Sequence, residues 1–206
     1  MSYLTVIAAI LLVDLLALVS PGPNFVLITS TAVSRSRRHA LWTATGIATG
    51  SLFWASAAAL GIVSIFEALP LLGLMLKLIG ITYLLYLGVS LLRSKGFTPG
   101  ATNTMTSGGG RRGFLRGFLV NLTNPKSAVY YASVFAAFLT PDLPSWVLFL
   151  LVASIAAMSL IWHVLIAIGL SAPPVQARYV SVSKHVDRLC GGLLIFLGLR
   201  LAWESR

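Results

Sequence analysis

Apolar residues form long runs along this chain, and the runs contain few charged side chains. About 20 apolar residues in a helix cross the roughly 30 Å hydrocarbon core of a bilayer, so each run predicts a membrane span. The second and fifth runs contain no Asp, Glu, Lys or Arg. The last is the shortest and carries Arg200, whose side chain is expected to reach the headgroups. The six predicted spans are residues 4–33, 40–66, 70–92, 114–139, 144–170 and 187–203.

Basic residues concentrate in three connections: after the first span, after the third and before the sixth. Because Lys and Arg accumulate in cytoplasmic loops, these three connections are expected to be cytoplasmic. The turns near Glu67 and Asp142 contain an acid and no Lys or Arg, so they are expected outside, together with both termini. The basic residues concerned are Arg35, Arg37, Arg38, Arg93, Lys95, Arg111, Arg112, Arg116, Arg178, Lys184 and Arg188.

The longest linker, residues 94–112, divides the chain into halves of three predicted spans each, residues 1–93 and 113–206. An odd number of crossings means that two related halves insert in opposite directions, which is the inverted-repeat plan of many secondary transporters. We therefore expect an all-α, polytopic protein in which residues 1–206 form one transmembrane domain with a 3+3 inverted repeat. Residues 173–187, just before the last span, predict an interfacial loop or a short amphipathic helix.

The first predicted span contains a break. Thirty helical residues at 1.5 Å each would be about 45 Å long, well beyond the hydrocarbon core, so the span must bend, tilt or break. Its prolines cannot donate to the carbonyls four residues earlier, and its glycine lets the backbone leave helical geometry. Ser20 followed by Pro21 also resembles a helix cap and first position. The break residues are Ser20, Pro21, Gly22, Pro23 and Asn24.

The fourth predicted span repeats this pattern. Asn124 is a capping residue and Pro125 suits a first helical position, so the carbonyl of Asn121 loses its intrahelical donor. Non-helical backbone at membrane depth is tolerated only where protein or a water-filled cavity satisfies it. Two ordinary proline kinks are the alternative, but breaks at corresponding positions favour a substrate site. Lys126 follows directly, beside a helix start that repels it unless an anion is near, which makes it a candidate for a substrate carboxylate.

Two further polar residues lie inside the spans. An ionised Asp14 at membrane depth costs about 2.5–3.5 kcal/mol on insertion scales, so it should face the bundle interior and pair or protonate. It is a candidate proton carrier or ammonium counter-ion; the alternative is a structural partner of Lys77, Lys126 or His163. His163 could relay protons or be a neutral core histidine. Four tyrosines either line a pocket or pack between helices: Tyr83, Tyr86, Tyr130 and Tyr131.

Small residues recur at helical spacing in the second and fourth spans. Gly46 and Gly50, and likewise Gly113 and Gly117, are four positions apart, the spacing that lets membrane helices approach closely. In a chain with 18 glycines this spacing alone is a weak indication of packing.

Composition narrows the class of protein. The 206 residues are 57% hydrophobic and 10% charged, whereas soluble domains average about 45–50% and 25%. A soluble enzyme, a disordered chain and a disulfide scaffold are thus excluded, and the single Cys190 permits no intrachain disulfide. A net charge of +10 would favour nucleic acid as the partner of a soluble protein, but the positive-inside rule accounts for it here. The expected partners are the lipid bilayer, protons and a small solute, and no nucleic acid.

Three separated motifs occur in order along the chain. They are Ser20-Pro21-Gly22-Pro23-Asn24-Phe25 with Thr31-Ala32-Val33-Ser34-Arg35-Ser36-Arg37; Gly80-Ile81-Thr82-Tyr83-Leu84 with Tyr86 and Gly88; and Asn121-Leu122-Thr123-Asn124-Pro125-Lys126 leading into Tyr130. Together these motifs resemble the LysE/RhtB family of amino-acid exporters. The resemblance covers nearly the whole chain, and within the family it is closest to the threonine/homoserine efflux branch. It implies a protein of the bacterial inner membrane driven by the proton gradient. An acid at the position of Asp14 is not expected in every member of the family, so a role for Asp14 is argued from physical chemistry alone.

The leading hypothesis is an exporter of small neutral amino acids that works by alternating access in exchange for protons. Half-helix N-termini and Lys126 would bind the carboxylate, and Asn24, Asn121 and Asn124 would complete its hydrogen bonds. Asp14 or freed carbonyls would bind the ammonium. Binding of a dibasic substrate would be favoured by a second buried acid. The acids other than Asp14 lie in loops or at span ends, so a neutral substrate is expected. The rivals are a membrane-embedded enzyme, for which HExxH, GxSxG and CxxC motifs are lacking, and an exporter of another solute or a metal cation. No metal or other cofactor is expected, and a homodimer is compatible with the sequence.

Overall fold

The computed structural model describes residues 3–20, 22–34, 37–96, 110–140, 143–169 and 173–204. Every regular element within these ranges is an α-helix, which confirms the all-α class for this part of the chain. The helices are α1 (Tyr3–Val19), α2 (Pro23–Ser34), α3 (Arg37–Ala68), α4 (Pro70–Leu92), α5 (Gly110–Leu122), α6 (Pro125–Phe138), α7 (Ser145–Gly169) and α8 (Pro173–Glu204).

The first and fourth predicted spans are each divided into two helices, α1–α2 and α5–α6. Among the described residues, three helices are long and apolar enough to cross a membrane alone, namely α3, α4 and α7. The bent α1–α2 pair is a fourth candidate. Six spans therefore remain a prediction.

The last helix is longer than the sequence pattern indicated. Residues 173–187 were expected to form an interfacial loop or a short amphipathic helix, but they continue into the predicted sixth span as one helix from Pro173 to Glu204. A proline at a helix start loses no hydrogen bond, so Pro173 begins this helix without cost. Tyr179 and Val180 pack against a buried cluster from α2, α3 and α7, and this tertiary contact stabilises the added turns.

Large apolar side chains cover the outside of the bundle. Leu4 is 78% exposed, Phe149 77% and Leu189 71%, whereas Asp14 and Asn121 are each 1% exposed. A soluble protein has the reverse distribution, with charged groups outside and large apolar groups mostly buried. This distribution is the one expected of a membrane protein.

Glycines allow α3 and α5 to pack closely. A Cβ on Gly117 would be 2.2 Å from the carbonyl oxygen of Thr43, and one on Gly46 would be 2.0 Å from that of Phe114. Gly113 likewise faces His39, and Gly50 faces Asn121. The packing predicted for these four glycines is confirmed, and the order of the contacts shows that the two helices run parallel.

The helix ends that carry basic residues lie at one end of the bundle. Parallel α3 and α5 bring their N-termini together, and Gly96 beyond the end of α4 faces Ser183 and Lys184 of α8. The buried cluster that includes Ala40 near the start of α3 also contains Ala167 near the end of α7, and Tyr179 of α8 packs against it. We call this the basic end.

Replacing Gly117 with Val tests the α3–α5 packing. The added side chain cannot fit against the Thr43 carbonyl, so we expect a loss of about 1–3 kcal/mol in stability, as is usual for overpacking. Gly61→Ala is the control, because nothing lies within 4 Å of a Cβ at that position of α3. Thermal unfolding of the purified proteins in detergent measures both effects. Equal stability of Gly117→Val and wild type would contradict the packing.

Candidate functional site

The first break lies between Val19 and Pro23, where the axes of α1 and α2 differ by 54°. The amide of Val26 donates to the carbonyl of Gly22 at 2.9 Å, so Gly22 occupies the position just before the helix. Ser20 is therefore not the cap that the sequence predicted, because Pro23 instead of Pro21 is the first helical residue. Pro21 lies outside the described residues.

The carbonyl that this break frees has a partner from another helix. Pro23 has no amide hydrogen to give to the carbonyl of Val19. The hydroxyl of Tyr179, in α8, donates to this carbonyl at 3.1 Å. The Tyr179 ring also stacks on Phe25 at a centroid distance of 4.8 Å, so one side chain both holds α2 and satisfies the break.

The second break has the predicted capping geometry. Asn124 has extended backbone angles, φ −77° and ψ 109°, and its Oδ1 accepts a hydrogen bond from the amide of Lys126 at 3.0 Å. Pro125 is the first residue of α6. The carbonyl of Asn121 accepts from the indole Nε1 of Trp54 in α3 at 3.3 Å and from the amide of Asn124 at 3.2 Å.

The two breaks meet inside the bundle. A Cβ on Gly22 would be 3.6 Å from the Nζ of Lys126, so the cation that follows the second break lies against the first. Between them is a cavity of about 70 Å³, which we call the central cavity. Since one water needs about 10–15 Å³ by this measure, it has room for a small solute. The predicted residues that line it are Asp14, Ser20, Gly22, Pro23, Asn24, Asn121, Asn124, Lys126 and His163; Pro125 is not among the lining residues.

Hydrogen-bond acceptors without partners surround the central cavity. Asp14 Oδ2, Asn24 Oδ1 and Asn121 Oδ1 are buried and accept no hydrogen bond. The amide nitrogen of Asn121 is occupied, because it donates to the carbonyl of Ile47 at 2.9 Å and to Ser51 Oγ at 3.1 Å. A buried polar group without a partner costs about 1–3 kcal/mol, so the cavity lining favours a ligand that donates hydrogen bonds.

Two of the four tyrosines form part of this lining. Tyr130 and Tyr131 are buried and border the central cavity. Both hydroxyls lie close to the carboxylate of Asp14, and the Tyr130 hydroxyl has no hydrogen bond of good geometry. The sequence left open whether they line a pocket or pack between helices, and these two do both, since they also belong to the buried core.

A chain of hydroxyl groups connects this region to His163. The Tyr131 hydroxyl lies beside Ser51, and Ser51 Oγ lies 3.1 Å from Ser159 Oγ in α7. His163 Nδ1 is 3.4 Å from Ser159 Oγ and 2.7 Å from the Ser159 carbonyl. Because a carbonyl only accepts, Nδ1 is the protonated nitrogen in this arrangement.

The start of α6 is already satisfied. The amides of Ser127 and Ala128 donate to the carbonyl of Asn124 at 3.0 and 3.3 Å, and the amide of Lys126 is capped as described above. The expectation that free amides at both half-helix starts would share a carboxylate is therefore wrong for α6, because the Asn124 cap uses them.

Sequence reasoning missed Asp187. It was treated as an acid at a span end, yet it is 1% exposed, because α8 extends beyond the predicted span and buries it. Asp187 and Lys126 lie close enough to attract each other electrostatically. The argument that the chain has one buried acid is thus wrong. The basic residues around position 187 favoured a loop in the sequence analysis, and nothing in the local sequence indicates that the side chain of Asp187 is buried.

Comparison with known proteins identifies the family of the chain. The family model described as LysE type translocator matches residues 15–205, which include both breaks and begin directly after Asp14. The chain belongs to the LysE type translocator family. This LysE-type protein is accordingly a membrane translocator and not an enzyme.

Curated relatives cover most of this LysE-type chain. It is 32% identical to the threonine efflux protein of Escherichia coli (strain K12), over 92% of this chain and 94% of that protein, and the threonine efflux protein of Salmonella typhi gives the same values. It is 33% identical to the homoserine/homoserine lactone efflux protein of Salmonella typhimurium over 66% of each chain. No solved structure matches it significantly.

Removing the Tyr179 hydroxyl tests how the first break is satisfied. Tyr179→Phe keeps the ring but leaves the Val19 carbonyl without this donor, so stability should fall by about 1–3 kcal/mol. Tyr3→Phe is the matched control, because Tyr3 is 45% exposed at the far end of the bundle. The measurement is thermal unfolding of both variants in detergent. If the two substitutions have equal effects, the hydrogen bond contributes nothing.

Proposed function

We propose that this translocator exports a small neutral amino acid, similar to threonine or homoserine, across the bacterial inner membrane in exchange for protons. The observation that carries the proposal is the central cavity, in which three acceptors without partners lie near one cation. The names of the efflux relatives support the same class of substrate.

The acceptors match an ammonium group. An ammonium has three hydrogens to donate, and Asp14, Asn24 and Asn121 each offer a buried oxygen that accepts nothing. Charge-assisted hydrogen bonds are the stronger kind, and the Asp14 carboxylate supplies the charge. Asn121 thus keeps its predicted place in the site, but it would act on the ammonium, because its amide hydrogens are already used.

Lys126 matches the carboxylate. Its ammonium group lies beside Gly22, at the start of α2, and a helix start adds partial positive charge. Ser20, Gly22, Pro23 and Asn124 complete the wall around it. Pro21 and Pro125 would act through the backbone by holding the two breaks open.

The names of the efflux relatives, and not the charge of the site, favour a neutral amino acid over a dibasic one. The burial of Asp187 removes the charge argument, which was that the chain has one buried acid. If Lys126 binds the substrate carboxylate, both Asp14 and Asp187 remain as counter-ions for ammonium groups. The transport test therefore compares lysine directly with threonine.

Proton exchange follows if Asp14 binds either an ammonium or a proton. A carboxylate buried in a membrane is costly unless its charge is neutralised, so an empty site would take up a proton and a filled site would release it. The hydroxyls of Tyr131, Ser51 and Ser159 form the path by which His163 would participate. Competition for one carboxylate would couple efflux of the amino acid to entry of the proton.

Alternating access would rely on six spans arranged as a 3+3 inverted repeat. The second span of the first half is α3 and that of the second half is α7. The third spans are α4 and α8, respectively. Ser51 contacts Ser159, and a Cβ placed on Gly88 or on Gly191 would lie 2.8 or 2.6 Å from the other glycine's carbonyl oxygen. Contact between corresponding helices supports a pseudo-two-fold axis. Residues 1–93 and 113–206 would be the repeats of one transmembrane domain, with the linker 94–112 in the cytoplasm.

The orientation follows from the basic end. The positive-inside rule would place it in the cytoplasm and both termini outside. A homodimer remains a prediction. Export of another small solute or of a metal cation is the alternative outcome of the transport test.

Counterflow into proteoliposomes tests the substrate. Vesicles loaded with unlabelled threonine, homoserine, serine, leucine or lysine should accumulate radiolabelled threonine most strongly with threonine or homoserine inside, and least with lysine. Protein-free vesicles are the control. Preference for lysine, or the absence of exchange with every amino acid, would contradict the proposal.

Asp14→Asn tests the coupling. We expect efflux to fall at least tenfold and to lose its response to an imposed pH gradient, because an amide binds neither a proton nor an ammonium as a carboxylate does. Asp14→Glu, which keeps the charge, should retain the pH response. The assay is radiolabelled threonine flux at matched protein density. An unchanged pH response in Asp14→Asn would exclude the carboxylate as the coupling group.

A further inference from the structure

A second cavity lies between the central cavity and the basic end of the bundle. Its volume is about 410 Å³, and it is lined by residues of α4 and of the turn after it, by Asp187 of α8 and by two residues of the breaks. Ser94 and Gly96, just beyond the end of α4, place it at the basic end. We call it the outer cavity; its polar lining includes Ser20, Tyr83, Ser90, Ser94, Lys126 and Asp187.

One carboxylate oxygen in the outer cavity has no partner. Asp187 is 1% exposed, its Oδ2 accepts a 2.5 Å hydrogen bond from Ser94 Oγ, and its Oδ1 accepts none. Ser94 Oγ in turn accepts from the amide of Gly96 at 3.0 Å. Gly96 has a φ of +84°, and a Cβ there would be 2.8 Å from Ser183 Oγ, so only glycine suits this turn. The turn thus holds the carboxylate with one oxygen open.

Lys126 and Ser20 border both cavities. Each cavity has one carboxylate with a free oxygen, Asp187 in the outer cavity and Asp14 in the central cavity. The ammonium group of Lys126 is common to the two cavities. A zwitterion needs an anion and a cation at fixed separation, and both cavities offer that pair. The shared Lys126 lies where a solute passing between them would keep its contact.

We infer that the outer cavity is a second binding subsite for the same amino acid, in which Asp187 binds the ammonium and Lys126 the carboxylate. The inference rests on the proposed function and adds a step to it. The amino acid enters from the basic end, pairs with Asp187 and Lys126, and then moves inward. Lys126 keeps the carboxylate while the ammonium passes from Asp187 to Asp14.

Sided transport separates this subsite from the central one. Radiolabelled threonine flux is measured in both directions in vesicles of uniform orientation. Asp187→Asn should raise the half-saturating threonine concentration at the basic end at least tenfold and leave that at the opposite end within twofold of wild type. Arg188→Gln is the matched control, since it changes a charge at the next, exposed position of α8. No change at the basic end, or an equal change at both ends, would overturn the inference.

Failure of the proposed function gives a different result. If wild-type protein moves no amino acid, the proposed function fails, and the subsite fails with it. If wild type transports threonine, Asp14→Asn impairs it and Asp187→Asn behaves as wild type, only the outer subsite is wrong.

A second measurement leaves Asp187 unaltered, in case its replacement prevents folding. Ser90→Cys in a Cys190→Ala background places a thiol in the outer cavity. Threonine should slow its labelling by a membrane-impermeant methanethiosulfonate at least fivefold, whereas N-acetylthreonine, which lacks the ammonium, should not. Equal protection by both compounds, or protection by neither, would overturn the inference.

Discussion

Inside a bilayer, a backbone carbonyl that loses its helical partner must find another donor, because no bulk water is available to replace it. The prolines at positions 23 and 125 each free such a carbonyl. In this bundle, both carbonyls receive hydrogen bonds from aromatic side chains of other helices, Tyr179 for Val19 and Trp54 for Asn121. The Asn121 carbonyl also accepts from the amide of Asn124. These hydrogen bonds satisfy the backbone at the two breaks and so help to maintain the cavity between them.

The same site leaves its side chains less satisfied than its backbone. Asp14, Asn24 and Asn121 each keep a buried oxygen without a partner, and Asp187 does so in the outer cavity. A protein selected only for stability would lose these groups, because each costs free energy when buried alone. Their concentration along the two cavities is what the proposed transport of a solute with an ammonium group requires. The rigid backbone and the open side chains thus have separate tasks.

Local sequence was sufficient for the features that local chemistry determines. Asn124 caps α6 because its short side chain reaches an amide two residues on, and Gly117 packs because it has no side chain. The cap of α2 was misassigned, because two prolines offered two possible starts and only the structure shows which one the helix uses. Tyr179 and Asp187 could not be found from sequence, since each acts on a group far away in the chain. Asn121 was found, but which of its two amide atoms is free depends on Ile47 and Ser51.

The hydrogen bond from Tyr179 to Val19 spans 160 residues of chain, and this distance has a consequence for biogenesis. During synthesis the first broken helix reaches the membrane long before α8 exists, so its freed carbonyl must wait for the last helix to arrive. The donor for the second break, Trp54, is by contrast made before the break itself. The hydrogen bond at the first break in the amino-terminal half therefore forms only after α8 has been synthesised, when translation is nearly finished.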